Sequence, residues 1–495
     1  MRLFVYPLNW FTRWSAGDKV LNHKEKADWF LKGVLIMRKE HDSLGIQSVP
    51  QTAYYGIHTV RARSNFPVIS NVNDRELIKN FLRVKLACAR ANQKAGRWDD
   101  ERVPMAIVKA CQDLLAHFEE YEDEFAIPAI QGGAGTSTNM NVNEVIANRA
   151  IELLDGQKGD YQLVNPNDDV NKSQSTNDTY PTAGHLTMIQ LTDRLSLTLK
   201  KTIATLKQLA EKYQTTLKMG RTQLEDAIPT TFGRSFHAYA SLLERDLKRL
   251  KAARDQLLTV PLGGTAIGTS LTATHEYLKN VIAELQNTTL LPVKGCEDLI
   301  DGVQNTDEYV QLSGSYKSLA VDLSKMCNDL RLLGSGPQNG LGELNLPQRQ
   351  AGSSIMPGKV NPVIPEFVTQ TAYQVIGHDA TITMAAEAGQ LELNAFEPVM
   401  FFDLFDDARL LNGALQTLNE NCLMGITVNV ERCRQMVESS AEAATALSPL
   451  LGYETVSHLV KKALKEKRPI RELVGDRLTT AELDQALAQT AFFVK

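Results

Sequence analysis

A helical repeat of apolar residues that starts near Pro181 constrains the fold more than any other feature of the sequence. Apolar side chains recur there mostly every three or four positions, at Met188, Leu191, Leu195, Leu199, Leu206, Leu209 and Tyr213. This spacing lines one face of an α-helix. Similar patterns cover roughly 232–258, 303–333 and 362–388, and each is longer than an average globular helix. Long helices of similar length pack side by side, so the chain is predicted to be all-α with a central bundle of long helices.

Short stretches rich in glycine, proline and asparagine separate these helices, and they are predicted to be loops. They lie at 131–135, 165–169, 262–269 and 334–345. Strand signals are limited to a short hairpin near 48–55, which argues against a nucleotide-binding sheet. A chain of 495 residues is expected to form several domains. The predicted division is an N-terminal domain at 37–176, the long-helix bundle at 177–431 and a small helical domain at 432–495.

Residues 1–36 stand apart from the rest of the sequence. They contain Trp10, Trp14 and Trp29, but neither a clean apolar run nor the small-residue cleavage site of a signal peptide. Codons for 32–34 can form a purine-rich run that resembles a bacterial ribosome-binding site, a short distance before Met37. We therefore predict that 1–36 is a non-native extension translated from upstream sequence. N-terminal sequencing of the protein from its native source tests this, and finding Met1 would refute it.

Composition excludes several classes of function. The formal net charge is −5 without a long run of one sign, so no basic surface for nucleic acid or anionic lipid is expected. No stretch approaches the roughly 18 to 20 apolar residues of a membrane helix. The six cysteines are scattered, without a C-x-x-C pair or zinc-ligand spacing. Reduced, buried thiols are typical of the cytoplasm, which is the predicted location.

The most informative local stretch runs from Gly352 to Pro362, with the sequence Gly-Ser-Ser-Ile-Met-Pro-Gly-Lys-Val-Asn-Pro. Pro362 can begin a helix as its first residue, with Asn361 as the cap. Asn361, Lys359 and the free N–H groups of that helix could together receive a carboxylate, because the helix dipole and the ammonium both favour negative charge. The residue types of this stretch, considered alone, are also compatible with a flexible connection that has no binding role.

The pattern Gly-Ser-Ser-x-Met-Pro-x-Lys-x-Asn-Pro resembles the signature of the fumarase/aspartase superfamily. Stretches at 133–141, 173–178 and 220–227 resemble the same superfamily in the expected order. Taken singly, Thr136 or Ser175 would be a helix cap and Asn177 a turn residue. All four stretches, however, resemble the same superfamily. The resemblance extends from about residue 37 to near the C-terminus. It implies a three-domain helical fold and a homotetramer built on a multi-helix core, with active sites shared between subunits.

Within the superfamily, Gln223 distinguishes two branches. Hydratases that resemble this chain have a histidine at the place of Gln223, paired with a glutamate at the place of Glu366, to move protons for water. Gln223 cannot titrate, whereas a substrate ammonium already carries its proton and needs no acid. Ala134 and the stretches 361–366 and 384–390 also resemble the aspartase branch. We therefore predict reversible deamination of L-aspartate to fumarate and ammonia.

The main alternative is a fumarate hydratase that acts on L-malate. A lyase for larger aminosuccinate derivatives has less support, since no feature suggests a nucleoside or guanidino pocket. A catalytically silent helical scaffold is disfavoured because Ser353, Lys359 and Asn361 are all present.

The resemblance also implies a role for each site residue. Ser353 would be the base that forms an aci-carboxylate intermediate, and the donors to the side-chain carboxylate would be Thr136, Ser175, Thr176 and Ser354. The main carboxylate would contact Thr222, Lys359 and Asn361, and the ammonium would contact Asn177 and Gln223. No cofactor and no metal site are expected, while activation by a divalent cation such as Mg²⁺ is left open.

Overall fold

The computed structural model describes residues 36–67, 71–466 and 468–489. The predicted extension therefore lies outside the described residues, apart from Ile36. In the N-terminal part, a β1–β2 hairpin precedes five helices. The strands are Met37–Asp42 and Gly45–Pro50, and helices α1 to α5 are Ile57–Asn65, Arg75–Lys94, Arg102–Ala116, Phe118–Tyr121 and Thr136–Leu153.

The central part begins with the longest helix of the described chain, α6 (Thr176–Lys212). Strands β3 and β4 are Leu217–Thr222 and Glu225–Thr231, and short strands β5 to β8 are Thr259–Val260, Lys294–Gly295, Leu344–Asn345 and Thr427–Val428. Helices α7 to α12 are Phe232–Gln256, His275–Thr289, Leu299–Gln304, Asp307–Leu333, Val363–Glu387 and Glu397–Asn421. The strands of the described residues form only two-stranded sheets, so the all-α prediction is confirmed.

From Ala441 onward the C-terminal part packs around a small core of its own, whereas Cys433 belongs to the large core of the rest of the chain. Helices α13 to α17 are Val430–Ser439, Ser448–Leu451, Tyr453–Glu466, Ile470–Val474 and Thr480–Gln489. The predicted boundaries at 176/177 and 431/432 fall in the first turns of α6 and α13. The division into domains stays a prediction.

Five long helices form the bundle, in which α6 packs on α7 and α12 while α10 packs on α7 and α11. Helices α6 and α10 are parallel, because His185 contacts Tyr309 and Thr192 contacts Tyr316. Helix α11 is antiparallel to α10, because Ser313 near the start of α10 donates to Asp379 late in α11. We call the end with the starts of α6 and α10 the Ser175 end, and the opposite end, where α11 starts, the Ser353 end.

Four of the five bundle helices were predicted with ends that differ from the observed ones by up to five residues, but α12 was missed. Its core-facing positions include the buried carboxyl groups of Asp403 and Asp407, which interrupt the apolar repeat. His378 of α11 accounts for their presence, since its Nδ1 lies 2.7 Å from the Asp407 carboxylate. Buried charges of this kind persist when a partner is supplied by tertiary packing.

Three local predictions are corrected by the structure. The N-terminal hairpin exists but spans 37–50 rather than 48–55. The predicted loop at 165–169 is largely a π-helical turn, Pro166–Val170, and the Asn165 side chain caps it. Helix α6 begins five residues before Pro181, because Ser175 and Asp178 form a reciprocal capping box at its start. No helix of the described chain is long and apolar enough to cross a bilayer.

Candidate active site

Three predicted site residues, Ser175, Thr176 and Asn177, form the start of α6. The Ser175 hydroxyl accepts the Asn177 N–H at 3.2 Å, and the Ser175 N–H donates to the Asp178 carboxylate at 3.0 Å. The Asn177 amide donates to the carbonyl of Ala266 at 2.7 Å. Hydroxyl and amide groups are thereby held at the dipole-positive end of a long helix, where an anion is stabilised.

Asp178 fixes this helix start to the loop at 262–269. Its side chain is fully buried, and its carboxylate accepts the backbone N–H groups of Gly263 and Thr265 at 3.1 and 3.0 Å. Burial raises the pKa of Asp178 to about 6. The prediction of site residues omitted Asp178, although the Ser-x-x-Asp capping pattern signalled its local part. Its contact with a loop more than eighty residues away had no local signal.

Thr136 lies at the same end of the bundle as the Ser175 segment. It is the first residue of α5 and is exposed. Gly135 before it has a φ of +82°, and a Cβ there would lie 2.5 Å from the ring of Tyr180 in α6. Only glycine allows this close approach in a left-handed conformation. The structure therefore brings Thr136 into the same region as Ser175, Thr176 and Asn177.

Thr222 and Gln223 lie at the tip of the β3–β4 hairpin, which follows the end of α6. Gln223 and Leu224 form a two-residue turn with φ values of +54° and +69°. Such turns favour glycine or asparagine, so these residues hold a strained conformation. Thr222 and Gln223 are exposed. Strained, exposed polar residues at a rigid hairpin tip are typical of functional positions.

The Ser353 loop is closed at its base by two hydrogen bonds. The Gly352 N–H donates to the Lys359 carbonyl, and the Asn361 amide donates to the Gly352 carbonyl, both at 2.8 Å. Inside the loop, the Ser353 hydroxyl oxygen accepts the N–H groups of Ile355 and Met356 at 3.1 and 2.9 Å.

Ser354 and Lys359 project from this loop and are exposed. The predicted capping role of Asn361 is wrong. Pro362 occupies the cap position of α11 without a side-chain hydrogen bond, because the Asn361 amide is turned back to close the loop. The Val363 N–H donates to the Asn361 carbonyl at 2.9 Å, and no side chain caps the start of α11, where the helix dipole favours an anion.

One chain does not bring all predicted site residues together. Thr136, Ser175, Thr176 and Asn177 lie at the Ser175 end, whereas the Ser353 loop lies where Arg331 of α10 pairs with Glu366 of α11 at 3.4 Å. The 27 residues of α10 that separate the two ends span roughly 40 Å at 1.5 Å per residue. A single four-carbon substrate cannot reach both groups within one chain.

Comparison with known proteins identifies the family. Residues 45–377 match the family model described as Lyase, and 444–491 match the model described as Fumarase C C-terminus. The aspartate ammonia-lyase of Bacillus subtilis (strain 168) is 45% identical over 456 residues, covering 92% of this chain and 95% of that protein. The Pseudomonas fluorescens aspartate ammonia-lyase is 48% identical over 455 residues, covering 91% and 95%.

Solved structures agree with these relatives. The fumarate lyase:delta crystallin from Brucella melitensis, bound to cobalt, matches with a TM-score of 0.89 and 45% identity, over 92% of this chain and all of that one. The class II fumarase from Schistosoma mansoni matches with a TM-score of 0.87 and 33% identity, over 92% and 99%. The chain therefore belongs to the fumarase/aspartase superfamily of lyases.

Proposed function

We propose that the chain is an aspartate ammonia-lyase, which converts L-aspartate reversibly to fumarate and ammonia. The observation that carries this proposal is the identity of 45–48% to aspartate ammonia-lyases over about nine-tenths of the chain. The class II fumarase matched in structure is 33% identical. Gln223 supports the same choice, since an amide can orient an ammonium but cannot supply a proton to a departing hydroxide.

In the proposed mechanism, Ser353 removes a proton from the carbon next to the side-chain carboxylate. The C–H electron pair moves into that carboxylate and forms an aci-carboxylate with a second negative charge. Thr136, Ser175, Thr176 and Ser354 donate hydrogen bonds to it, and each well-placed donor contributes about 2.7–4 kcal/mol. The two N–H groups that already point at the Ser353 oxygen stabilise it as an alkoxide.

The second step breaks the C–N bond. The electron pair returns from the aci-carboxylate to form the double bond of fumarate, and nitrogen leaves as neutral ammonia in an anti elimination. Thr222, Lys359 and Asn361 hold the main carboxylate, while Asn177 and Gln223 orient the ammonium. Holding both carboxylates and the amine in fixed positions lowers the activation barrier, because the entropy cost of aligning the reacting groups is met when the substrate binds.

The active site is proposed to form between the chains of a homotetramer. This assembly is supported by the separation of the two bundle ends, because neighbouring chains can bring a Ser175 end and a Ser353 end together. The outward face of α11 also exposes large apolar side chains, with Phe367 at 47%, Tyr373 at 63% and Met384 at 64%. Exposed patches of this kind mark interaction surfaces. Light scattering coupled to size exclusion tests the assembly, and a monomer with full activity would refute it.

Helix-interior glycines point to close packing of the same helices with other chains. A Cβ at Gly314, Gly377 or Gly413 would meet no atom of the described residues within 4 Å. Glycine costs about 1 kcal/mol relative to alanine in a helix, so its presence at open positions on α10, α11 and α12 is explained by the approach of another backbone.

The proposed chemistry uses only side chains and backbone groups of the protein. No prosthetic group is required, and the partners are L-aspartate and fumarate. The cytoplasmic location is proposed because the six cysteines are unpaired thiols, as expected in a reducing compartment.

The function is tested by incubating the purified protein with L-aspartate and, separately, with L-malate while following the ultraviolet absorbance of fumarate. We expect fumarate from L-aspartate only. Formation from L-malate alone would establish the alternative, a fumarate hydratase. Ser353→Ala prepared in the same way is the control, because residual product in that sample reports contaminating enzyme from the expression host.

A further inference from the structure

Lys85 of α2 is a buried lysine that contacts the turn leading into the Ser175 segment. Its side chain is among the largest fully buried ones, at 1% exposure. The ammonium donates to the side-chain oxygens of Asn171 at 2.9 Å and Gln174 at 3.0 Å. Among the residues that the structure describes, both hydrogen-bond partners of Lys85 are neutral amides. Burying an ammonium without a carboxylate in contact is unfavourable, so its presence requires an explanation.

The two amides that receive Lys85 organise the turn at 170–174. The Asn171 oxygen also accepts the amides of Asn139 and Asn143 in α5, at 3.2 and 3.1 Å. The Gln174 amide donates to the backbone carbonyls of residues 170 and 172, at 3.1 and 3.0 Å. The Lys85 ammonium is therefore at the centre of a network that joins this turn to the helix that begins with Thr136.

A second residue of α2 holds the same turn. The Asn92 amide donates to the Lys172 carbonyl at 2.9 Å, and its oxygen accepts the Ser173 hydroxyl at 2.7 Å. Asp178 holds the chain on the other side of Ser175, Thr176 and Asn177. The three predicted site residues are thus the short span between two buried anchoring points.

The titratable groups that act on Lys85 come from three helices. They are Cys88 in α2, Asp178 in α6 and Cys111 in α3, and Tyr277 of α8 donates a hydrogen bond to the Cys88 thiol at 3.4 Å. Burial raises the pKa of each thiol to about 12 and raises that of Tyr277 well above its usual value, so all three are neutral near pH 7. Asp178 is the one carboxylate in this set, and burial lowers the pKa of Lys85 to about 8.

We propose that Lys85 is a positioning residue for the deamination, holding Ser175, Thr176 and Asn177 in place and supplying a buried positive charge to the pocket that receives the far carboxylate. This inference rests on the proposed function. The charge matters because an ammonium in a poorly hydrated interior acts over a longer range than one in water. The second negative charge of the aci-carboxylate is then opposed by a cation that substrate never contacts.

Lys85→Met tests this role, because methionine keeps the length and apolar packing of the side chain but removes its charge and donors. We expect kcat for L-aspartate to fall about tenfold to a hundredfold, with a smaller change in KM. Asn80→Ala is the matched control. Asn80 is fully buried in the same helix and donates to Thr187 and Gln190 of α6, farther along α6 from the Ser175 segment. It is expected to lower the thermal midpoint while kcat stays within about twofold.

Gln174→Glu provides a second test that does not depend on the folding of Lys85→Met. It places a carboxylate where the ammonium now meets an amide oxygen at 3.0 Å, and an opposite charge at that distance favours the charged lysine. The new carboxylate also offsets the lysine charge and removes the amide donors to the carbonyls of residues 170 and 172, so kcat itself should fall. Loss of the Lys85 proton is expected to set the alkaline limb of the kcat–pH profile, and this limb should move upward by about one pH unit. A kcat of Lys85→Met within twofold of wild type, or an unmoved alkaline limb in Gln174→Glu, overturns the proposal. Wild-type protein that makes no fumarate from L-aspartate would instead refute the proposed function itself.

Discussion

Replacing Ser353 with alanine removes the proposed base, and the structure gives the expected magnitude. Two backbone N–H groups lie 3.1 and 2.9 Å from the Ser353 oxygen. Each such donor contributes about 2.7–4 kcal/mol to an oxyanion, so the pair supplies roughly 5–8 kcal/mol, or about four to six pKa units. This stabilisation makes a serine alkoxide accessible. Without the Ser353 hydroxyl, we expect turnover of L-aspartate to fall at least about a thousandfold.

Stability is expected to change little in Ser353→Ala, because its two N–H partners lie on an exposed loop where water replaces the hydroxyl. Ser335→Ala is the matched control. The Ser335 hydroxyl also accepts a loop N–H, that of Leu341 at 3.1 Å, and donates to the Leu332 carbonyl, but it belongs to no part of the proposed site. Fumarate absorbance, thermal midpoint and assembly size are measured for both variants. Turnover of Ser353→Ala above about a tenth of wild type would refute the reasoning.

Three further predictions follow from the fold and the site. Gly135→Ala should cost roughly 2–4 kcal/mol and lower activity, because the φ of +82° and the Tyr180 ring at 2.5 Å leave no place for a methyl group; a thermal midpoint equal to wild type would contradict this. Burial raises the pKa of Glu144 to about 7, of Asp178 to about 6 and of Asp407 to about 7. The folded state therefore holds these protons more tightly than the unfolded chain, and the stability they contribute is lost as the pH rises from about 4 through 7. The thermal midpoint should be several degrees higher at pH 5 than at pH 8, and an equal or lower midpoint at pH 5 would show that other groups dominate. Dialysis against a chelator should leave deamination in place, since no step uses a metal; turnover that disappears and returns with added Mg²⁺ would contradict that mechanism.

Local signals in the sequence predicted the long helices and the polar segments that bracket them. The apolar spacing from Met188 to Tyr213 was sufficient for most of α6, since a helix that buries one face repeats every three or four residues. Its start was placed too late because Pro181 suggested a first turn. The Ser175–Asp178 capping box governs the start instead.

Features that depend on distant parts of the chain could not be predicted in this way. The Asn361 side chain fits a helix cap by position, yet its amide closes the loop on Gly352. The acidic residues of α12 obscured its repeat because their partner, His378, lies on another helix. Lys85 is one of several basic residues in α2, close to Lys79, Arg83 and Arg90, and its amide partners are more than eighty residues away.

The composition of the candidate site was predicted from motif resemblance, but its geometry was not. Sequence order gives no indication that Ser175 and Ser353 lie at opposite ends of one bundle. The structure shows that separation through the parallel pairing of α6 with α10 and the antiparallel pairing of α10 with α11. Roles assigned to individual site residues stay proposals.

Mixed assemblies of two inactive variants test most directly whether one active site is built from several chains. Asn177→Ala disables the Ser175 end and Ser353→Ala disables the Ser353 end, so each variant alone should make almost no fumarate from L-aspartate. If the two are dissociated, mixed and reassembled, roughly one site in four should combine an intact Asn177 from one chain with an intact Ser353 from another, and activity should return accordingly. Mixed assemblies, verified by two different affinity tags, that remain inactive would contradict the account.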